Sequence, residues 1–200
     1  MKGFFYAFKS FIGLYLTPRM KPKVLLDNKL FNIIITRLCY QLIENHENFS
    51  DTVLIGIQPR GIYLAEKIKE RLLEISPKLK VKTGYLDITF HRDDFRRRGA
   101  PVLANTTKID FLIEDKKVVL IDDVLFTGRT IRSALDALLS FGRPKAVELL
   151  VLIERRFSKD LPVEPKYLGK SVDSIASQRV LVKWNSDGTP DKVLLHTENE

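Results

Sequence analysis

The sequence predicts an α/β fold built on a doubly wound, mainly parallel sheet with a small C-terminal hairpin or hood, and three observations carry that expectation. Short continuous apolar runs, TVLIGI at 52–57, KVVLI at 117–121 and AVELLVLI at 146–153, suit strands buried on both faces. Amphipathic helical stretches separate them, which is the alternation of parallel strands joined by crossovers. Turn residues stand where strands should hand over to helices, as QPRG after the first run and LFTGRT after the second.

In chain order, Asp27 is placed to cap a helix over 28–46, in which Phe31, Ile34, Leu38 and Leu42 recur at helical spacing. TVLIGI, QPRG and IYLAEKIKERLLEI then form a strand, loop and helix unit. VKTGYLDITF, 81–90, is a second strand candidate, and residues 91 to about 116 carry charges and turn residues without periodicity, the character of a long functional loop. KVVLI, the helix IRSALDALLSF at 131–141 and AVELLVLI repeat the pattern, with Gly142 and Pro144 marking the helix end. RVLVKW, NSDGTP and DKVLL, 179–195, read as a hairpin adding antiparallel strands at an edge of the sheet. No repeat, low-complexity block or linker divides residues 20–200, which are expected to form one domain.

Charge and composition narrow the function classes. The formal net charge is +8, but residues 1–23 hold Lys2, Lys9, Arg19, Lys21 and Lys23 and no acid, leaving 28 basic against 25 acidic residues in the rest. So mild an excess excludes a nucleic-acid function argued from overall charge alone. Cys39, the single cysteine, sits in the apolar pattern of the first helix, which points to a buried thiol in a reducing, cytoplasmic setting. Residues 1–19 put Phe4, Phe8, Phe11 and Tyr15 on one helical face. They are too short and polar to span a bilayer, and Lys9 interrupts the run a secretory signal needs, so no stable membrane insertion is expected. An N-terminal extension ahead of a true start at Met20, disordered or not native, a docking helix and a membrane-surface helix all remain open.

The segment VVLIDDVLFTGRT, 118–130, carries the chemistry. In open parallel sheets ligands bind beyond the carboxyl ends of the strands, where Asp122 and Asp123 fall. Thr127, Gly128, Arg129 and Thr130 occupy the turn into the next helix, where free backbone amides and the helix dipole favour a phosphate. Two carboxylates would repel that phosphate, so they suit ribose hydroxyls and a hydrated divalent cation. An isolated pair of acids or an isolated turn would be ordinary turn chemistry; together they address a sugar and its phosphate from one strand end.

These thirteen residues resemble the phosphoribosyl pyrophosphate (PRPP) signature of the type I phosphoribosyltransferases. The likeness runs from about Val24 to the C-terminus and is nearest to the pyrimidine operon attenuators that are also uracil phosphoribosyltransferases. GIQPRGIYLAEKI, DITFHRDD, DDVLFTGRT, FGRPKAVELLVLIERR and YLGKSV follow that family in order and spacing. The resemblance implies transfer of the ribose phosphate of PRPP to a nucleobase with Mg²⁺ as cofactor. It implies that Pro59, Arg60 and Gly61 hold the pyrophosphate, which loop amides and a guanidinium suit. The family usually has threonine in place of Pro59, so one backbone donor and a hydroxyl are missing there. Arg92 would open the segment that closes over PRPP and excludes water, with Arg96, Arg97 and Arg98 following it.

On this reading Arg60, Asp122 and Asp123 form the catalytic set, the two acids orienting the ribose and meeting the metal through water and PRPP. Thr127, Gly128, Arg129 and Thr130 complete the PRPP contacts. Phe126, Arg155 and Val172 stand on the base side, with a core role for Val172 equally open. Purine members resembling this fold commonly carry an acid at the position of Phe126; an aromatic ring borders a flat base but exchanges no proton with it, which favours uracil. The resemblance also brings in RNA. Thr36, Arg37 and Lys170 match its contact positions, whereas Tyr40, Asn45, Phe157, Ser158 and Glu164 replace expected basic or histidine residues. Catalysis therefore ranks above RNA regulation, and a homodimer or larger assembly is the family's habit.

Overall fold

TVLIGI becomes β2 (Thr52–Ile57), and KVVLI opens β4 (Lys117–Leu125), its parallel neighbour. Their side chains alternate between two covered faces. Leu54, Val119 and Ile121 join one cluster with α1 (Asn28–His46) and α2 (Gly61–Ile75). Val53, Ile55, Val118 and Leu120 join the other with α3 (Arg129–Leu138). Both faces being dry is why these strands read as unbroken apolar runs, and each fully buried Leu or Ile contributes about 1.5–3 kcal/mol. The computed structural model describes residues 21–93, 104–184 and 189–197; residues 1–19 and Arg96, Arg97 and Arg98 lie outside them.

The central sheet has five parallel strands in the order β3-β2-β4-β5-β6, with β3 at Lys82–Leu86, β5 at Ala146–Arg156 and β6 at Tyr167–Asp173. Asp27 caps α1 as expected, accepting from the Leu30 N–H at 2.8 Å. At its far end His46 is buried, with Nδ1 3.0 Å from Thr52 Oγ1 and Nε2 2.9 Å from the Tyr167 hydroxyl, tying the helix to β2 and β6. Burial lowers the His46 pKa. Cys39 is buried in the core and desolvation pushes its pKa up to about 12.

Three expectations are corrected. The strand expected over 81–90 stops at Leu86, where the chain enters a single 3-10 turn at Thr89–His91. Residues 104–108 return beside it, Tyr85 and Lys108 exchanging two backbone hydrogen bonds of 2.8 Å. The C-terminal hairpin, β7 (Gln178–Lys183) and β8 (Lys192–Thr197), does not extend the central sheet. That edge is taken by β6, and the hairpin pairs with β1 (Lys23–Leu26) in a separate antiparallel sheet of order β1-β8-β7. This hood packs Val180, Val182, Val193 and Leu195 against the α1 and α2 side, and Trp184 sits edge-on to Phe31 at 5.8 Å. The third helix begins at Arg129 rather than Ile131. No helix among the described residues is long and apolar enough to cross a membrane.

Candidate functional site

β4 outruns its neighbour β2. Their register ends at Gly56 opposite Ile121, while β4 stays paired with β5 through Asp122 opposite Val151 and Leu125 opposite Glu154. Asp122 and Asp123 are therefore the last part of a strand, exposed on one flank to the loop that leaves β2. Both are buried, and the Asp123 N–H donates to Asp122 Oδ1 at 2.9 Å. Burial raises the pKa of both; for Asp122 the neighbouring carboxylate adds to the rise, and for Asp123 the Arg60 guanidinium opposes it.

Arg60 is already fixed over this pair. Its Nε donates to Asp123 Oδ2 and its Nη2 to the Val182 carbonyl of the hood, both at 2.7 Å. Nη1 has no hydrogen-bond partner among the described residues and is the donor left for an anion. Gly61 makes the placement feasible, because a Cβ there would stand 2.3 Å from the Ile121 carbonyl oxygen. α2 starts in van der Waals contact with β4, which only glycine permits. The Gln58–Pro59 peptide bond is cis, and Gln58 Nε2 donates to the Thr106 carbonyl at 2.8 Å, linking this loop to the returning end of the long segment.

Gly128 has φ +88 and stands immediately before α3. A side chain there would be strained and would meet Leu161 Cβ at 3.2 Å. The turn is braced from outside, the Thr127 carbonyl accepting from the N–H groups of Asp160 at 3.0 Å and Leu161 at 3.2 Å. The Arg129 side chain turns away from the helix start: Nη1 donates to Asp93 at 2.6 Å and Nε to Asp160 at 3.0 Å. What Arg129 and Thr130 offer an anion directly is the first-turn amide edge of α3. A cavity of about 290 Å³ lies here, bordered by Arg92, Asp122, Phe126, Thr127, Gly128 and Thr130 among others.

Beside it, at the end of β5, Arg155 is buried and its pKa is lowered by desolvation. Its Nε donates to Ser174 Oγ at 2.8 Å and its Nη2 to the Ile175 carbonyl at 3.0 Å, while Cζ lies 4.0 Å from the centroid of the Phe126 ring. The Val172 side chain is buried in the hydrophobic core, the role that the sequence leaves open beside a base-side one. Asp93, Asp160, Val182 and Ser174 were not expected. Asp93 stands in the recognised DITFHRDD, which assigned it no contact, Asp160 carries no signal beyond a charge in a loop, Val182 acts through a carbonyl that every residue possesses, and Ser174 follows the recognised YLGKSV by two residues.

Among the described residues no group of three or more His, Cys, Asp or Glu could hold a metal ion. Two adjacent carboxylates with raised pKa values nevertheless fit Mg²⁺, which is normally bound by one or two acids together with water and substrate phosphates. The expected RNA contacts are engaged internally. Arg37 Nη2 donates to the carbonyls of Leu168 at 2.8 Å and Gly169 at 2.7 Å, Lys170 reaches the Leu25 carbonyl at 3.2 Å, and Thr36 bonds back to Asn32 at 2.8 Å.

Comparison with known proteins bears on the fold and on the family. Solved structures sharing the fold include a hypoxanthine phosphoribosyltransferase from Staphylococcus aureus, with TM-score 0.64, 18% identity and coverage of 94% of this chain and 98% of that one. Another is the hypoxanthine phosphoribosyltransferase of Trypanosoma cruzi, with TM-score 0.67, 13% identity and coverage of 87% and 95%. Much nearer in sequence are proteins named bifunctional protein PyrR. That of Desulfosudis oleivorans is 40% identical over 88% of this chain and 97% of its own length. Its counterpart in Acetivibrio thermocellus is 45% identical over 82% and 89%. The phosphoribosyl transferase domain model matches residues 23–187, and the chain therefore belongs to the phosphoribosyl transferase family.

Proposed function

We propose that this chain transfers the 5-phosphoribosyl group of PRPP to uracil, giving UMP and pyrophosphate in the cytoplasm. The single observation that carries the reading is the clamp of Arg60 on Asp123 beside the Thr127–Thr130 turn, which sets a cationic donor, two acids and a helix N-terminus around one strand end. A nitrogen of the base attacks the anomeric carbon as the bond to pyrophosphate breaks, its proton passing to the released pyrophosphate, and positioning with electrostatics is the main contribution the protein needs to make. The amides of the turn and the threonine hydroxyls of Thr127 and Thr130 hold the ribose phosphate. Asp122 and Asp123 orient the ribose hydroxyls. Pro59, Arg60 and Gly61 receive the departing pyrophosphate, with Arg60 Nη1 as the charged donor. Arg92, on the cavity wall, is placed to meet the bound PRPP. Asp122 and Asp123 are the residues that would hold Mg²⁺, indirectly, and the ion would supply charge neutralisation of the leaving group. On the base side Phe126 supplies an apolar border and no proton acceptor, and Arg155 supplies donors to a carbonyl-bearing base.

The test is steady-state turnover of the full chain with PRPP, Mg²⁺ and a panel of uracil, hypoxanthine, guanine, xanthine and orotate. The highest kcat/KM is expected for uracil, and a higher value for any purine would refute the assignment. The resemblance to the pyrimidine operon attenuators, with relatives named as bifunctional, keeps RNA binding by a homo-oligomer as a second reading. It ranks lower because Arg37 and Lys170 are committed within the chain, while the exposed Tyr40 and Phe157 offer RNA no charge.

A further inference from the structure

Ser174 lies in the turn between β6 and β7, buried at 7% exposure, and takes no part in the proposed reaction. Its hydroxyl and the Ile175 carbonyl take the Nε and Nη2 donors of Arg155, which together form one side edge of the guanidinium. The flat face of the same group lies on Phe126. A guanidinium held by one edge and one face has lost its rotational freedom, and what remains available is the end formed by Nη1 and the second proton of Nη2. Nη1 has no hydrogen-bond partner among the described residues. Phe126, on which the group lies, is itself a wall of the cavity that contains Asp122 and the Thr127–Thr130 turn.

We propose that Ser174 is the positioning residue for Arg155, locking its guanidinium so that a donor-only end is presented to the base and selects the carbonyl edge of an oxo-pyrimidine. A base offering an amino group at that edge would bring donor against donor and leave a buried cation unanswered. The inference rests on the base-side reading of Arg155 given above, and it adds the residue that makes Arg155 selective.

The experiment compares the full chain with Ser174→Ala and Ser174→Thr. Removing a hydrogen bond to a charged, buried group should raise KM for uracil about tenfold or more, while KM for PRPP stays within about twofold. Ser174→Thr, which keeps the hydroxyl, should return KM to within about threefold of the parent. A second readout is independent of turnover: the Arg155 Nε–H resonance should be protected from solvent exchange in the parent and in Ser174→Thr and lose protection in Ser174→Ala. Equal rises in both KM values, or unchanged uracil KM with unchanged protection, would overturn the proposal. If the parent used a purine in place of uracil, the proposed function would fail, and the same KM comparison with that purine would still decide the role of Ser174. If no base were turned over, retained protection in Ser174→Ala would overturn it.

Discussion

Replacing Asp122 by Asn should make the protein more stable and less active at once. Burial and the adjacent Asp123 raise the Asp122 pKa above its ordinary value of 3.8, so the folded state retains a proton that the unfolded chain has released. Stability therefore falls as pH rises from the ordinary carboxylate range to the raised value. The proton so retained withholds on the order of a few kcal/mol of stability at neutral pH. Asn does not titrate, and its carbonyl oxygen can still accept from the Asp123 N–H, as Oδ1 now does. With the amide hydrogens imperfectly partnered, the net gain should be on the order of 1–2 kcal/mol, or a Tm higher by about 2–8 °C for a chain of this size. Adding Asp123→Asn should shrink the gain, because Arg60 then loses its charged acceptor. The assay is thermal unfolding of the ligand-free parent and both variants from pH 8 down to pH 4, with kcat/KM measured alongside. Stabilisation should fade toward pH 4, as the unfolded carboxylate begins to take up its own proton, and activity should fall by about a hundredfold or more. A variant less stable than the parent at pH 8, or equally stabilised at every pH, would refute the electrostatic account; near-normal turnover in the double variant would refute the site.

Gly61→Ala should destabilise by several kcal/mol, on the order of the larger core substitutions, because its Cβ would stand 2.3 Å from the Ile121 oxygen; chemical denaturation that leaves the midpoint unmoved would contradict the packing of α2 on β4. Cys39 should resist alkylation in the native protein and react on unfolding, since its thiol is buried with a pKa pushed up to about 12; rapid native labelling by iodoacetamide would show otherwise. Protein beginning at Met20 should keep catalytic activity within about twofold, as no site residue precedes it; a large loss would assign the arm a functional contact. The same shortened protein should bind a pyrimidine-gene leader RNA weakly, with steep salt dependence and little preference over a scrambled control; tight, UMP-enhanced binding in a salt series would restore RNA regulation as the primary function.

The parts of the fold legible in the sequence are those where one physical signal dominates. β2, β4 and β5 lie inside a doubly covered sheet and declare themselves as apolar runs, and the Asp27 cap and the periodicity of α1 place that helix. β1 and β6 were missed because they are outer strands: Lys23 and Val24 face solvent, and Tyr167–Asp173 mixes glycine, lysine and serine with two buried side chains. The same division runs through the site. Asp122, Asp123 and the Thr127–Thr130 turn are contiguous and stand out, whereas the orientation of Arg60 depends on a carbonyl of β7 and that of Arg155 on a serine of the β6–β7 turn. Arg129 was recognised by position, yet its side chain is directed by Asp93 and Asp160, far away in sequence.

The pairing of β1 with β8 has a bearing on the order in which the molecule assembles. Lys23 lies opposite Leu195, so the hood requires closure of a loop that spans nearly the whole domain, while the central sheet grows through successive strand, helix, strand crossovers of much shorter reach. Loop-closure entropy is spent before such distant contacts return anything, which puts the five-stranded sheet early and the hood late. Until β7 arrives, Arg60 lacks the Val182 carbonyl that fixes its outer nitrogen. A chain with a finished sheet and an unsealed hood thus holds every residue of the recognised signature while its principal cation is held at Asp123 alone, and competence waits on the last strands to dock.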